Sequence, residues 1–349
     1  MLRWAALAAI AFAILLPLEA AGNRKIIIDE DCSGPGGTNL QAVLALIQSP
    51  ATEVLGITVP TGDAWRDEEV QHVLRLLELI GRTGIPVVPG AVFPLVNRKE
   101  FIAQWEMKYG RVVYQGAWNT GAPVHSPYEI PPMPEGSPAT KPSKEDAAHF
   151  LVSTVRRFPH QVTIYAGGPL TDIAQALHLD PRFPDLVREL VVMGGAIHPV
   201  TNDPELAPNP HREFNFWMDP EAAHSVLQAN WPRVTLTTVD ISIRTRLNKE
   251  LIQAIARSHT PAAEYAVRFA HEDYLWDELT ALAWLDPRII TRRQKLNIDV
   301  STDHGATYGD TIVRGEGVVE VQQDLDRNRF YRELIDLLRR PTPRRAPAH

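Results

Sequence analysis

The feature that most constrains the fold is an alternation of short β-branched runs with amphipathic segments. Strands are predicted at "KIIIDED" (25–31), "EVLGITV" (53–59), "IPVVPGA" (85–91), "QVTIYAG" (161–167) and "ELVVMGG" (189–195). Helices are predicted at 40–48, 67–84, 143–158 and 170–179, between these strands. This order predicts an α/β fold with an open, doubly wound, mostly parallel sheet and helices on both faces. Later segments such as "VVEVQQDLD" (318–326) allow antiparallel strands near the end.

Composition and domain organisation fit one globular unit. The chain has 349 residues, 44% of them hydrophobic and 22% charged. No linker or repeat interrupts the alternation, so we expect a single domain over 24–340 and a frayed tail over 341–349. The net charge of −7 and the absence of a basic run before the tail argue against a nucleic-acid partner. The sequence leaves open whether the chain forms a homo-oligomer.

The N-terminus has the layout of a secretory signal peptide. Arg3 precedes an apolar run, which ends at Pro17 and the small residues Ala20, Ala21 and Gly22. Residues 1–21 are therefore predicted to be a signal peptide, the protein to be secreted or periplasmic, and the mature chain to have no stable membrane anchor. A buried first helix or an uncleaved anchor is the alternative.

The segment "IIIDEDCSGPGGTN" (26–39) places carboxylates where the first strand meets a glycine-rich turn. Asp29 and Asp31 are two residues apart, so a continuing strand would point them to the same side. Adjacent carboxylates repel unless a cation or a shared proton offsets their charge. The glycine spacing does not match a phosphate-binding loop, whereas Ca²⁺ suits carboxylate and carbonyl oxygens. A capped turn with solvated acids and no metal is the alternative.

Cys32 is the only cysteine, so no internal disulfide forms. The acidic neighbours of its thiol favour a packing role over a nucleophilic one.

Residues 94–142 interrupt the alternation. They contain Trp105, Tyr109, Tyr114 and Trp118 among many prolines and glycines, with little periodicity. Long irregular stretches inside a compact domain are usually functional. We expect this stretch, called the excursion below, to cover the ligand-binding edge of the sheet.

Several segments together resemble a known enzyme family. They are "KIIIDED", "NLQAVLALI", "EVLGITVPTGDAWRDEEVQHVLRLLELIGRTGIPVVPGA", "TIYAGGPLTDIAQAL", "ELVVMGGAI" and "REFNFWMDPEAAHSVL". Their order and spacing over 24–290 are similar to those of the inosine-uridine-preferring nucleoside hydrolases. The resemblance implies hydrolysis of the N-glycosidic bond of a ribonucleoside or related N-riboside, a small-molecule substrate, with Ca²⁺ holding the ribose diol and the attacking water.

The resemblance also assigns site residues. It implies that Asp31, the carbonyl of Gly167 and Asp277 bind the metal, with Asp29 beside Asp31. It implies further that Glu213 and Asn215 hold ribose hydroxyls.

Three positions depart from the family pattern. The family has two adjacent aspartates at the start of the first helix, where this chain has "GPGGTN", and Asn39 offers only a neutral oxygen to the substrate. Trp276 replaces a histidine that assists the leaving base, and it can stack on the base instead. Asp63 replaces an asparagine after the second strand, so Asp29 or Asp63 becomes the candidate catalytic base.

Two further hypotheses follow from these departures. One is a secreted ribose- or nucleoside-binding protein, or a catalytically impaired relative, that keeps the pocket without turnover. The other is hydrolysis of a different N-riboside with an acid such as Asp63 or Asp240. Whether Asn202 or Asn209 takes over the family's remaining asparagine role stays open.

Overall fold

The computed structural model describes residues 23–119 and 125–343. The predicted signal peptide and residues 344–349 of the predicted tail lie outside this part of the chain. The strands are β1 (Arg24–Asp29), β2 (Thr52–Val59), β3 (Val87–Pro89), β4 (Val162–Ala166), β5 (Glu189–Met193), β6 (Val234–Thr237), β7 (Arg246–Leu247), β8 (Asp273–Tyr274), β9 (Ile290–Val300), β10 (Thr311–Glu316) and β11 (Val319–Leu325).

The helices alternate with these strands and surround the sheet. They are α1 (Thr38–Gln48), α2 (Arg66–Leu79), α3 (Lys99–Tyr109), α4 (Ala147–Arg157), α5 (Thr171–Leu179), α6 (Phe183–Leu186), α7 (Phe214–Met218), α8 (Pro220–Leu227), α9 (Val239–Ser242), α10 (Lys249–Ile255), α11 (Pro261–Arg268), α12 (Trp276–Leu285) and α13 (Arg327–Arg339), with 3₁₀ turns at Gly116–Trp118 and Pro287–Ile289. Within the described ranges, no helix has both the length and the apolar content needed to cross a bilayer.

The main sheet confirms the predicted doubly wound topology. Nine strands lie in the order β10-β9-β11-β6-β5-β4-β1-β2-β3, and β9 runs antiparallel to β10 and β11 while the other pairs are parallel. The winding reverses at β1, which pairs with β2 on one side and β4 on the other. Ligands of such sheets bind in the crevice at this reversal point. The turn after Asp29 and the turn after Ala166 therefore meet at the expected site.

The core lies on both faces of the sheet, and β1 supplies both. Ile26 and Ile28 pack with α1, α2, α12 and α13, whereas Ile27 packs with α4, α5 and α8 on the other face. All three isoleucines are fully buried. A continuous β-branched run suits a strand covered on both sides, so "III" is consistent with β1 as an inner strand of the sheet.

Two elements differ from the predictions. The long strand β9 was not predicted, because residues 291–295 are polar or charged and exposed, and only its last third is mostly buried. Helix α3 lies inside the excursion, which was predicted to be irregular. It buries only Ile102 and Trp105, which is too few apolar positions to give a clear helical period.

The excursion is fastened to α2 by buried polar contacts. His72 of α2 pairs through Nδ1 with the carboxylate of Glu135, and both residues are nearly inaccessible, at 4% and 6% exposure. Arg75 Nε donates to the Glu135 carbonyl at 3.0 Å. Burial lowers the pKa of His72, but its bonds to Glu135 and Glu68 outweigh this, so the pKa is raised above 6.5.

This pairing predicts a pH-dependent contribution to stability. A histidine with a raised pKa stabilises the fold fully below its unfolded-state pKa, and this stabilisation is lost as pH rises through the folded-state pKa. Urea unfolding should show that His72→Gln lowers the free energy of unfolding most near about pH 6, with a smaller loss at alkaline pH. His149→Gln, which removes an exposed pair with Asp146, should have little effect at any pH. A His72→Gln loss that grows with pH would contradict the assignment.

Candidate functional site

A cavity of about 660 Å³ opens at the carboxyl edge of the sheet, where β1 and β4 end. It brings together most of the residues predicted from sequence, which come from distant parts of the chain. Those in its lining are Asn39, Asp63, Gly167, Glu213, Asn215, Trp276 and Asp277. The excursion adds Tyr114, Pro132 and Pro134, so its predicted position over this edge is confirmed.

Beneath the cavity, Asn39 bridges two buried carboxylates. Its Nδ2 donates to Asp31 Oδ1 at 3.1 Å and to Glu30 Oε1 at 3.3 Å. The backbone N–H of Asp63 donates to Asp31 Oδ2 at 3.0 Å. Glu30 and Asp31 are 0% and 1% exposed, and burial together with neighbouring carboxylates raises the pKa of both. Glu30 therefore belongs to the acidic cluster, although the sequence analysis did not assign it a role.

Asp29 and Asp31 were expected to point to the same side only if the strand continued through both, and this condition is not met. Strand β1 ends at Asp29, so the two-residue alternation does not reach Asp31. The Asp29 carboxylate instead accepts from Thr58 Oγ1, and burial with the charge of Asp172 raises its pKa. Asp29 is fully buried and lies outside the cavity lining. It is therefore not placed to act on a substrate.

Asp277 enters the cluster from the first turn of α12. Thr38 Oγ1 donates to its Oδ2 at 3.1 Å, while its Oδ1 is buried without a hydrogen-bond partner. Tyr165 Oη holds the Asp277 carbonyl at 3.1 Å. Burial and the charges of Asp63, Glu213 and Asp273 raise the pKa of Asp277, although the Thr38 bond acts in the opposite sense. The side chain is thus fixed while one oxygen stays unpaired.

The carboxylate oxygens of Glu30 and Asp277 are ligands that suit a hard cation. Glu30 Oε2, like Asp277 Oδ1, is buried without a partner, and the Asp277 charge raises the pKa of Glu30. Gly167 lies directly against Glu30, since a Cβ at this glycine would be 2.1 Å from Oε2. Oxygen donors carrying excess negative charge are those that Ca²⁺ binds. However, among residues 23–119 and 125–343 no three acidic, histidine or cysteine side chains form a ready-made metal cage.

Glu213 and Asn215 are held rigidly at the start of α7. The Glu213 carboxylate caps this helix by accepting from the N–H groups of Asn215, Phe216 and Gly195. Its burial raises the pKa to about 7 despite these bonds. Asn215 Nδ2 donates to the carbonyls of Gly167 at 2.6 Å and Met193 at 3.2 Å. The Asn215 oxygen is therefore the group left for a ligand.

Asp63 contributes a carboxylate with a pKa near neutrality to the cavity lining. Tyr114 Oη donates to its Oδ1 at 2.8 Å. Its partial burial raises the pKa to about 6, against the effects of hydrogen bonds from Tyr114 and Asn39. A base with a pKa near neutrality combines ionisation with useful basicity. The sequence analysis did not predict the contact between Tyr114 and Asp63, because the two residues are 51 positions apart and no local pattern connects them.

Aromatic rings form two walls of the cavity. Trp276 lies 4.7 Å from Tyr274 between ring centroids, and Tyr114 lies 4.9 Å from Phe214. All four residues line the cavity. Trp276 thus reaches the ligand space as predicted, with its ring supported by Tyr274. A planar heterocycle is the ligand group that such rings favour.

The other candidate residues from the sequence, Asp240, Asn202 and Asn209, lie outside the cavity lining. The Asp240 carboxylate accepts from the N–H groups of Ile197 and His198, and Asn209 donates to Asp310. Cys32 is buried in the core, and burial followed by the charge of Glu30 raises the pKa of its thiol, in keeping with a packing role.

Comparison with known proteins places these features in context. A family model described as "Inosine-uridine preferring nucleoside hydrolase" matches residues 26–332. The pyrimidine-specific ribonucleoside hydrolase RihA of Citrobacter koseri is 29% identical over 328 residues, covering 88% of this chain and 95% of that protein. Uridine nucleosidase 1 of Arabidopsis thaliana is 32% identical over 225 residues, 64% of this chain and 58% of the plant protein.

Solved structures share the fold. The plant nucleoside hydrolase PpNRh1 superposes with a TM-score of 0.73 at 24% identity, over 91% of this chain and 99% of that one. The purine-preferring ribonucleoside hydrolase of Gardnerella vaginalis gives 0.71 at 23% identity, over 90% and 98%.

The glycine turn that precedes α1 yields a prediction. Gly36 has a φ of +94°, and a Cβ there would lie 2.1 Å from the Phe269 carbonyl oxygen. Gly36→Ala should lower the free energy of unfolding by about 1–3 kcal/mol or more, because it strains the backbone and displaces another segment. Gly84→Ala is the control, since nothing lies within 4 Å of a Cβ there. Equal stability of the two variants in urea unfolding would refute this packing.

Proposed function

Because the chain belongs to the inosine-uridine preferring nucleoside hydrolase family, we propose that it hydrolyses the N-glycosidic bond of a ribonucleoside or related N-riboside with the help of bound Ca²⁺. The observation that carries the proposal is a pair of unpartnered buried oxygens, Asp277 Oδ1 and Glu30 Oε2. Asp277 lines the cavity, and Glu30 lies directly behind Gly167 of the lining. Two buried like charges are costly without a counter-charge. A cation at this point removes that cost and supplies a place for the ribose diol.

The residues that would hold the cation are Glu30, Asp31 and Asp277, with the Gly167 carbonyl. Glu30 is an addition to the set predicted from sequence. When bound, Ca²⁺ polarises a water and binds the ribose hydroxyls. Both carboxylate oxygens of Asp31 already accept hydrogen bonds, from Asn39 Nδ2 and from the Asp63 N–H. We therefore expect carbonyls, water and substrate to supply much of the calcium coordination. The affinity for Ca²⁺ should accordingly be modest.

The sugar would be oriented by the rigid start of α7. The amide nitrogen of Asn215 is bound to two carbonyls, so its oxygen can accept a ribose hydroxyl. Glu213 is fixed by three backbone N–H groups and keeps its negative charge close to the sugar when ionised. Negative charge beside the ring favours the oxocarbenium character that develops at the anomeric carbon as the bond breaks.

Asp63 would accept the proton of the attacking water. Tyr114 donates to its Oδ1, and the water would bind at Oδ2. In this proposal the role of the family's missing aspartate moves from the start of α1 to Asp63, which follows β2 and lines the cavity, whereas Asp29 does not line it. The leaving base would stack on Trp276 and Tyr274.

The cation predicts a calcium-dependent stabilisation. With Ca²⁺ at about 100 times its dissociation constant, binding to the folded chain alone adds about 2.7 kcal/mol and raises the melting temperature. Glu30→Gln and Asp277→Asn should each abolish this shift in scanning calorimetry of chelator-treated protein. Asp29→Asn, a matched buried carboxylate, should retain it. If the calcium-dependent shift in melting temperature persisted in both Glu30→Gln and Asp277→Asn, the ion would have to bind at other residues.

The base assignment predicts a kinetic difference between two aspartates. Asp63→Asn should lower kcat on uridine, inosine and an activated nitrophenyl riboside by about 10²–10⁴-fold, the usual size of general-base assistance. Asp29→Asn should stay within a few-fold of wild type. Full activity of Asp63→Asn would exclude it as the base. Ribose or nucleoside binding without turnover by the wild type would instead favour the alternative of a binding protein.

A further inference from the structure

The last part of the excursion, residues 125–140, lies along one face of α2 and is called the strap below. Four side chains on that helix face contact it, at spacings of four, three and three positions: Glu68, His72, Arg75 and Glu78. None of residues 126–134 is buried. The strap therefore depends on these polar contacts more than on apolar packing, as segments of low local stability do.

The far end of the strap is held by groups whose charge is constant around neutral pH. Glu78 Oε1 accepts from the N–H groups of Ala139 and Thr140, both at 2.7 Å, and from Thr140 Oγ1 at 2.9 Å. Hydrogen bonds, first among them that from the Thr140 N–H, lower the pKa of Glu78 to about 2. Arg75, whose guanidinium stays charged, donates to Glu78 Oε2 at 3.0 Å. This end should therefore stay in place at neutral and alkaline pH.

The cavity end of the strap is held by two imidazoles. His72 lies between two carboxylates, because its Nδ1 pairs with Glu135 of the strap and its Nε2 lies 3.8 Å from Glu68 Oε1. The other Glu68 oxygen lies 3.0 Å from Nε2 of His125, at the start of the strap. Histidine is the side chain that gains or loses its charge near neutral pH. Both contacts at this end thus involve a group that can lose its proton.

The surroundings of His72 supply no second cation for the Glu135 carboxylate. Among residues 23–119 and 125–343, the one ion pair that Glu135 forms is with His72, and its Oε2 is buried without a partner. Gly34 lies against the His72 ring, and Tyr265 of α11 lies near Glu135, since burial and the Glu135 charge raise the pKa of its phenol. Arg75 binds the Glu135 backbone carbonyl at 3.0 Å. A neutral His72 would therefore leave a buried carboxylate without a counter-charge, which is strongly unfavourable.

The part of the strap between these anchors borders the cavity. Pro132 and Pro134 line the cavity, as do Glu68 and His72 of α2. Proline-rich segments are extended and stiff, so residues 126–134 should move as one arm. Gly136 follows the Glu135 anchor with a φ of +88°, and hinges are single positions of this kind that absorb a change of backbone angles.

We propose that the strap is a proton-operated wall of the cavity, closed while His72 is charged and swung outward when His72 is neutral. On opening, the Glu135 carboxylate exchanges His72 for water, and the Arg75 bond to the Glu135 carbonyl breaks. Gly136 takes up the rotation, while Glu78 keeps the far end on α2. Pro132 and Pro134 then leave the cavity lining. The motion does not depend on the proposed hydrolysis, so it can be tested without turnover.

The test measures the mobility of a nitroxide label on the strap. Tyr128→Cys carries the label on the exposed arm, Lys141→Cys carries a matched label just beyond the far end, and the native Cys32 is buried. Closure that raises the His72 pKa is favoured below the pKa of the open state and is lost as pH rises through that of the closed state. In paramagnetic resonance spectra, the ratio of mobile to immobile label at position 128 should therefore rise between about pH 6 and about pH 9, roughly tenfold for each unit by which closure raises the pKa. The label at position 141 should not change.

Substitutions assign the effect to the buried pair. His72→Gln and Glu135→Gln each remove one charge of the pair, and each should abolish the pH dependence at position 128. His149→Gln, which removes an exposed pair with Asp146, should preserve it. Circular dichroism identifies which variants fold, and either variant of the pair is sufficient. A wild-type ratio that does not change with pH, a change that persists in a folded variant of the pair, or an equal change at position 141 would overturn the inference.

Discussion

The repulsion among buried carboxylates at the reversal point of the sheet is the constraint on which the site depends. Glu30, Asp31 and Asp277 are at most 3% exposed, and two of their oxygens have no partner. Removing an unpaired carboxylate from water costs several kcal/mol. The fold must offset this cost through a large core and through neutral donors. Asn39 and Thr38 perform the second task, because each donates to a carboxylate without adding charge.

This arrangement explains why the turn between β1 and α1 has the sequence it has. The turn must bring Thr38 and Asn39 back over the cluster while passing close to the segment at Phe269. Gly36 permits the approach because it has no side chain and a positive φ. Asp63 follows the neighbouring strand β2, and Tyr114 donates to its carboxylate. Under the proposed function, Asp63 would take over the role of the acids that this turn lacks.

Much of the fold could be predicted from sequence, because central strands and amphipathic helices leave local patterns. "III" identified β1, and the blocks around Gly167, Glu213 and Asp277 located residues that the structure brings into one cavity. The position of Glu30 in the acidic cluster could not be predicted, since it depends on where β1 stops pairing. The contact between Asp63 and Tyr114 depends on the path of the excursion. Strand β9 forms because it pairs with β10 and β11, and its own residues do not show a clear apolar pattern. These are consequences of tertiary contacts.

A bound cation is one physical solution to the repulsion within the acidic cluster. The alternative physical solution to the same repulsion is a proton shared between carboxylates. Long-wavelength anomalous diffraction from crystals grown with Ca²⁺, compared with crystals grown with chelator, distinguishes the two. We predict a calcium peak about 2.3–2.6 Å from both Glu30 Oε2 and Asp277 Oδ1, present only with the metal. No peak at this position, with the two carboxylates hydrogen-bonded to each other in both crystals, would contradict the account.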